Sequence, residues 1–187
     1  MKIALDPGHG GIFPGAIGLV PFELREKDVT LAICLKTSNL LKKHGHKVVL
    51  TRDSDLNLDN NLAKDVRKRA ELANQTKADI FLSVHCNAYS DPNPEGIETW
   101  YRAEDKRSET LARTVQQALA AAFSDHLNRG VKAKELLQLR DLAMPACHIE
   151  AEYLTNPTQL EFLASEFNQE KIARAITQGI LNFAALA

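Results

Sequence analysis

Apolar residues recur along this chain in two periods, and the two periods alternate. Short apolar runs, unbroken or alternating, predict strands at residues 2–5, 46–51, 80–84, 96–101 and 146–151, with a shorter one at 130–132. Between them the apolar positions take helical spacing. Val29, Ile33, Leu35, Leu40 and Leu41 mark a helix over residues 26–43, and Gly45 stands where its C-cap belongs. Leu62, Val66, Ala70 and Ala73 share one face of a helix over residues 60–76. Residues 108–123, 158–164 and 168–187 supply the remaining helices. The strand at 80–84 is apolar throughout, which predicts burial on both faces, whereas 96–101 alternates and reads as nearer an edge. Strands alternating with helices predict an α/β fold. The expectation is a single domain, 1–187, with a twisted, mostly parallel β-sheet flanked by helices on both faces.

Composition narrows the function. Lys and Arg number 23 against 24 Asp and Glu, for a net charge of −1. No global basic field exists to hold nucleic acid, and 6% aromatic residues make a poor platform for stacked bases. Cys34, Cys86 and Cys147 show no CxxC spacing, so a thiolate cluster or a disulfide framework is not expected. Cys34 and Cys147 lie in apolar stretches and read as buried thiols. No apolar run is long enough to span a bilayer. No export signal is read ahead of the first strand, so the sequence does not give a route out of the cell.

The candidate chemistry gathers at strand ends. Asp6-Pro7-Gly8 stops the first strand, because Pro7 cannot donate to a ladder and Gly8 permits turn angles. His9 is thereby held at the carboxyl edge of the sheet, where ligands of open α/β folds collect. The glycines around it are expected to keep a wide groove open. His85 and Glu150 stand at the ends of the strands at 80–84 and 146–151, and Glu26 opens the first long helix. Two imidazoles and a carboxylate suit Zn²⁺ with an open coordination position, and a further carboxylate can then move the proton of a water.

Each member has a plainer reading. A lone His at a strand end is more often structural than a ligand, and an acid at a helix start answers the helix dipole. On spacing alone Glu23 rivals Glu26. Glu152 rivals Glu150, and two residues apart on one strand they share a face. His44 and His46 bracket a helix end and suit its negative pole. His126 lies in a polar loop. His148 shares the face of Glu150 and reads as a structural histidine beside the site.

The order of several motifs then resembles a known family. LDPGHGG (5–11), PGAIG (14–18), EKDVTLA (26–32), VVLTRDSD (48–55), RAELAN (69–74), ADIFLSVHCNA (78–88), GIETWY (96–101), RGVK (129–132) and MPACHIEAEYLTNP (144–157) are similar to the zinc-dependent N-acetylmuramoyl-L-alanine amidases of cell separation and phage lysis. The resemblance implies one zinc ion on His9, Glu26 and His85, with Glu150 as catalytic acid/base, and it removes Glu23 and Glu152 from the site. It implies a monomeric hydrolase of peptidoglycan, acting at the cell wall on the amide between N-acetylmuramic acid and L-alanine. A catalytically silent wall-binding domain of the same fold, or a zinc peptidase or deacetylase, is the alternative. Three positions depart from the family pattern: Phe13 for a common Asp, His148 for an aliphatic residue and Cys86 for a small one. The expectation is therefore a catalytic core without the inhibitory helical insertion or wall-binding repeats of many relatives.

Overall fold

A computed structural model describes residues 1–186. Strands β1 (Lys2–Pro7), β4 (Lys47–Leu50), β5 (Ile80–Asn87), β6 (Ile97–Tyr101), β7 (Asn128–Ala133) and β8 (Ala146–Tyr153) form one sheet in the order β4-β1-β5-β8-β6-β7. Every neighbouring pair is parallel except β6 with β8. A two-stranded ribbon, β2 (Ile17–Gly18) with β3 (Leu24–Arg25), lies outside it. The helices are α1 (Glu26–Lys43), α2 (Leu62–Gln75), α3 (Lys106–Ala122), α4 (Leu137–Arg140), α5 (Pro157–Ala164) and α6 (Glu166–Ala184). The expected single α/β domain with a mostly parallel sheet is therefore what forms. The end of the last expected helix, at Ala187, lies outside the described residues.

Strand alternation divides the core between two faces. Ile3, Leu5, Ile80, Leu82, Val84 and Ile149 point into the larger cluster, which α1, α3 and α6 cover. Ala4, Phe81 and Ala146 point the other way, against Ala70 and Ala73 of α2 and Leu139 of α4. Burial on both sides explains why these strands read as unbroken apolar runs. The second face is covered only over the amino-terminal part of its strands. Farther along it carries Asp6, Ser83, His85, His148 and Glu150, all buried and all polar.

The chain leaves β1 through α1 to reach β4 on one side, and then passes through α2 to β5 on the other. Right-handed crossovers in opposite directions put their helices on opposite faces. The reversal opens a crevice at the carboxyl ends of β1 and β5, the usual ligand position in such sheets.

Local sequence sets the element ends. Asn61, Asp105, Asn156 and Ser165 each accept a backbone N–H at the start of α2, α3, α5 and α6. Helix α1 has no side-chain cap. Its first two N–H groups go instead to the carbonyls of Ala16 and Pro14, at 2.9 and 3.1 Å. That contact fastens the loop after His9 to the helix that begins with Glu26. Two strands run farther than their apolar cores: β5 to Asn87 and β8 to Tyr153, so His85 and Glu150 lie inside strands.

Candidate metal centre

Three segments converge on one carboxylate. His9 follows β1, Glu26 begins α1, and His85 lies on β5 beside β1. His9 Nε2 is 3.0 Å from Glu26 Oε2, and His85 Nδ1 is 2.8 Å from Glu26 Oε1. The ligand atoms of all three lie within 4.8 Å of one another. Backbone N–H groups of Ala16 and Cys86 donate to the same carboxylate at 2.8 and 3.1 Å and fix its plane. Burial would push the Glu26 carboxyl up, but the His85 and His9 imidazoles outweigh it and hold the pKa far below the usual carboxylate range. Burial, reinforced by the nearby His148, pushes the His85 pKa down and favours the neutral ring that binds metals. His85 Nε2 is buried and has no hydrogen-bond partner among the described residues. Two imidazoles and a carboxylate, one ligand atom from each, fit a zinc ion.

The backbone at His9 is held by force. Its φ of 63° lies in the left-handed region, unusual for a side chain of this size. Two buried arginines lock the turn. Arg69 donates to the carbonyls of Pro7 and His9 at 2.7 and 2.6 Å. Arg52 donates to those of Pro7 and Gly8 at 3.0 and 2.9 Å, and Thr30 adds a bond to Gly8 at 2.8 Å. The expectation that the glycines keep a groove open is corrected here. A side chain at Gly8 would strike the His85 ring, and one at Gly15, where φ is 71°, would strike Glu26 and His9. These glycines let the His9, Glu26 and His85 side chains pack against bare backbone.

Glu150 pairs in register with His85 across β5 and β8, neighbouring strands about 4.8 Å apart. Both line a cavity of about 410 Å³ with His9, Glu26, Trp100 and His148. A second cavity of about 400 Å³ adjoins it, sharing His9, His85 and Gln138 and walled by Leu62 and Val66. Burial raises the Glu150 pKa to about 8, and His85 opposes this while the charges of Glu26 and Glu98 add to it. His148 Nε2 stands 2.9 Å from Glu150 Oε1.

The whole sequence matches a known family. The sequence profile of N-acetylmuramoyl-L-alanine amidases matches residues 3–182. The chain belongs to this family. It is 30% identical over 189 residues to the germination-specific N-acetylmuramoyl-L-alanine amidase of Bacillus subtilis, covering 97% of this chain and 78% of that protein. Among solved structures, the CwlD amidase of Clostridioides difficile, in complex with the GerS lipoprotein, superposes with a TM-score of 0.93 at 33% identity, over 100% of this chain and 99% of that one. The amidase AmiC2 of Nostoc punctiforme does so at 0.89 and 32%, over 99% and 97%. The chain is accordingly a peptidoglycan amidase, and its relatives include cell wall amidases. None of its helices is long and apolar enough to cross a membrane among the described residues.

The amidase sorts the rival acids by position. Glu23 is exposed and pairs with Arg25 at 2.8 Å. Glu152 does not share the face of Glu150, because β8 carries an extra residue between its pairings with His85 and Asn87. Glu152 turns instead to His126 Nδ1 at 2.8 Å and to the Gly96 N–H at 2.7 Å. His126 lies in the loop between α3 and β7, as expected, and is half-buried there against Phe123. His44 supplies the C-cap of α1, and His46 Nδ1 lies 3.3 Å from the terminal amine. Phe13 closes the turn after His9 through paired backbone bonds with Gly10 at 2.9 and 3.0 Å. The thiols of Cys34 and Cys147 are free and buried as expected, and so is that of Cys86.

The residues missed in sequence are Asp6, Arg52 and Arg69. Asp6 accepts from Arg69 at 3.0 Å, Thr51 at 2.5 Å and Ser83 at 2.7 Å. The available signal was Arg69 inside the apolar face of α2, four residues after Asp65, which it also binds at 2.7 Å.

Proposed function

We propose that this amidase uses one zinc ion, held by His9, Glu26 and His85, to hydrolyse the amide between the lactyl group of N-acetylmuramic acid and L-alanine of the stem peptide. The observation that carries the reading is the meeting of His9 Nε2 and His85 Nδ1 on the two oxygens of Glu26, at 3.0 and 2.8 Å. When bound, zinc supplies a Lewis acid for the scissile carbonyl and a positive charge that lowers the pKa of water and of nearby carboxyls.

Glu150 does the proton work in this reading. Its Oε2 is buried and without a hydrogen-bond partner among the described residues, so it is free to accept the proton of the attacking water. It then returns that proton to the departing L-alanine nitrogen. His9, Glu26, His85 and Glu150 come from one chain, which supports action as a monomer and residues 1–187 as the catalytic unit.

Purified sacculi treated with the zinc-loaded protein should release intact stem peptides that begin with L-alanine, seen by mass spectrometry. A chelator should stop release, and Glu150→Ala should abolish it with zinc still bound. Cleavage within stems would mark a peptidase, and loss of acetate alone a deacetylase. Binding to sacculi with no release at saturating zinc would mark a silent wall-binding domain.

A further inference from the structure

We propose that His148 is the positioning residue of Glu150, resting on the reading of Glu150 as the acid/base. His148 is buried, and its Nε2 stands 2.9 Å from Glu150 Oε1. This is the one hydrogen bond that the Glu150 side chain makes among the described residues. No other hydrogen bond orients the carboxylate. An acceptor on Glu150 requires the proton of the neutral ring on Nε2, and His148 Nδ1 is left buried without a partner.

The ring is itself fixed from both faces. It stacks on His85 with centroids 4.3 Å apart and planes 19° apart, and on Trp100 at 5.0 Å and 4°. The Lys134 ammonium lies over the indole ring, 3.4 Å from its centroid. Strand register builds this arrangement, since Trp100 faces His148 and Glu98 faces Glu150 across β6 and β8. A ring held between two planes cannot swing its Nε2 away from Oε1. The column thus fixes Oε1 and leaves Oε2 for the proton. It also ties the orientation of the acid/base to His85, one of the zinc ligands.

The effect on rate is set by geometry. A general base works only within hydrogen-bond reach of its proton, and a misplacement of about 1 Å can cost roughly 100-fold. Two substitutions separate the donor from the stack. His148→Phe keeps an aromatic ring between His85 and Trp100 but has no donor. His148→Gln keeps a donor but not the stack.

The test measures kcat, KM, zinc content and melting temperature of zinc-loaded wild type and of both variants, with Glu150→Gln beside them. His148→Phe should lose about 10- to 100-fold in kcat with KM within about twofold, and His148→Gln should recover most of that loss. Full kcat in His148→Phe with Glu150→Gln inactive overturns the positioning role and leaves the acid/base reading standing. Equal damage in Gln and Phe variants overturns it too, since packing alone would then explain both. Normal turnover in Glu150→Gln overturns both readings. Should His148→Phe fail to fold, the ¹⁵N spectrum of histidine-labelled wild type decides: a proton on Nε2 supports the proposal, and one on Nδ1 overturns it.

Discussion

Arg69 Nη1 lies 3.0 Å from Asp6 Oδ1, and the same guanidinium reaches the carbonyl of His9 at 2.6 Å. A buried ion pair beneath the sheet edge is thereby joined directly to the backbone that presents His9, a proposed metal ligand. Both side chains are almost fully buried, so neither charge has water to fall back on. Arg69→Met would strand Asp6 and Asp65 together and should cost about 3–5 kcal/mol, read from denaturant unfolding. With the clamp gone, zinc affinity should also fall about 10- to 100-fold in chelator competition. Arg69→Lys should rescue little, because a single ammonium cannot span the carbonyls and the two carboxylates that the planar fork serves. A lysine variant with wild-type zinc affinity would mean the clamp is not what orders the turn.

The same pair gives an acid dependence. Burial would raise the Asp6 carboxyl, but Arg69 and the hydroxyls of Thr51 and Ser83 outweigh it and hold the pKa at about 2, against an ordinary 3.8. A carboxyl depressed in the folded state contributes stability that is fully present above its unfolded value and lost as pH falls through its folded value. The window is therefore about pH 4 down to pH 2, and the contribution is about 2 kcal/mol. Melting curves of wild type should drop faster across that window than those of Asp6→Asn, which starts lower but has lost this carboxyl. Parallel slopes for the two proteins would show that Asp6 is not the group responsible.

The sheet and most helices were legible because apolar period and end signals agree over long segments, as in α1 ahead of Gly45 and in α2 behind Asn61. The ribbon β2–β3 and the single turn α4 are too short to carry a period. The antiparallel placement of β6 leaves no mark on the run GIETWY, since direction is decided by where the chain returns. Of the site, His9, Glu26, His85 and Glu150 were visible as chemistry at strand and helix ends. Glu152 was misplaced because a one-residue bulge reverses which face a strand residue takes, and bulges have no sequence period. Arg52 was unreadable for a different reason. Its partners are backbone carbonyls of Pro7, Gly8 and Lys27, which any sequence supplies.

Zinc should stabilise the folded chain measurably if the triad holds it. A ligand that binds only the native state at about 100 times its Kd adds about 2.7 kcal/mol, which for a domain of this size is a rise of roughly 5–10 °C in melting temperature. The chelated wild type should regain that rise on adding zinc, and His85→Ala should not. An unchanged melting temperature in the wild type at saturating zinc would remove the triad as the metal site.

Gly8→Ala tests the packing of His85, a proposed metal ligand, against bare backbone. An added Cβ at residue 8 would overlap the His85 ring, and all three of the atoms it would meet first belong to that imidazole. The ring cannot simply retreat, because His148 stacks behind it at 4.3 Å and Glu26 Oε1 holds Nδ1 at 2.8 Å. The turn cannot yield easily either, since Arg52 and Thr30 both hold the Gly8 carbonyl. Overpacking a tight site costs typically about 1–3 kcal/mol. The loss should fall more on the metal than on the fold, because His85 must tilt away from the Glu26 carboxylate to make room. Zinc affinity measured against a competing chelator should drop at least about 10-fold, with chelated melting temperature lowered by only a few degrees. The matched control is Gly45→Ala, where no atom lies within 4 Å of the added Cβ; its positive φ of 79° costs fold stability but leaves zinc affinity alone. Equal zinc affinity in Gly8→Ala and wild type would show that His85 does not owe its position to this glycine.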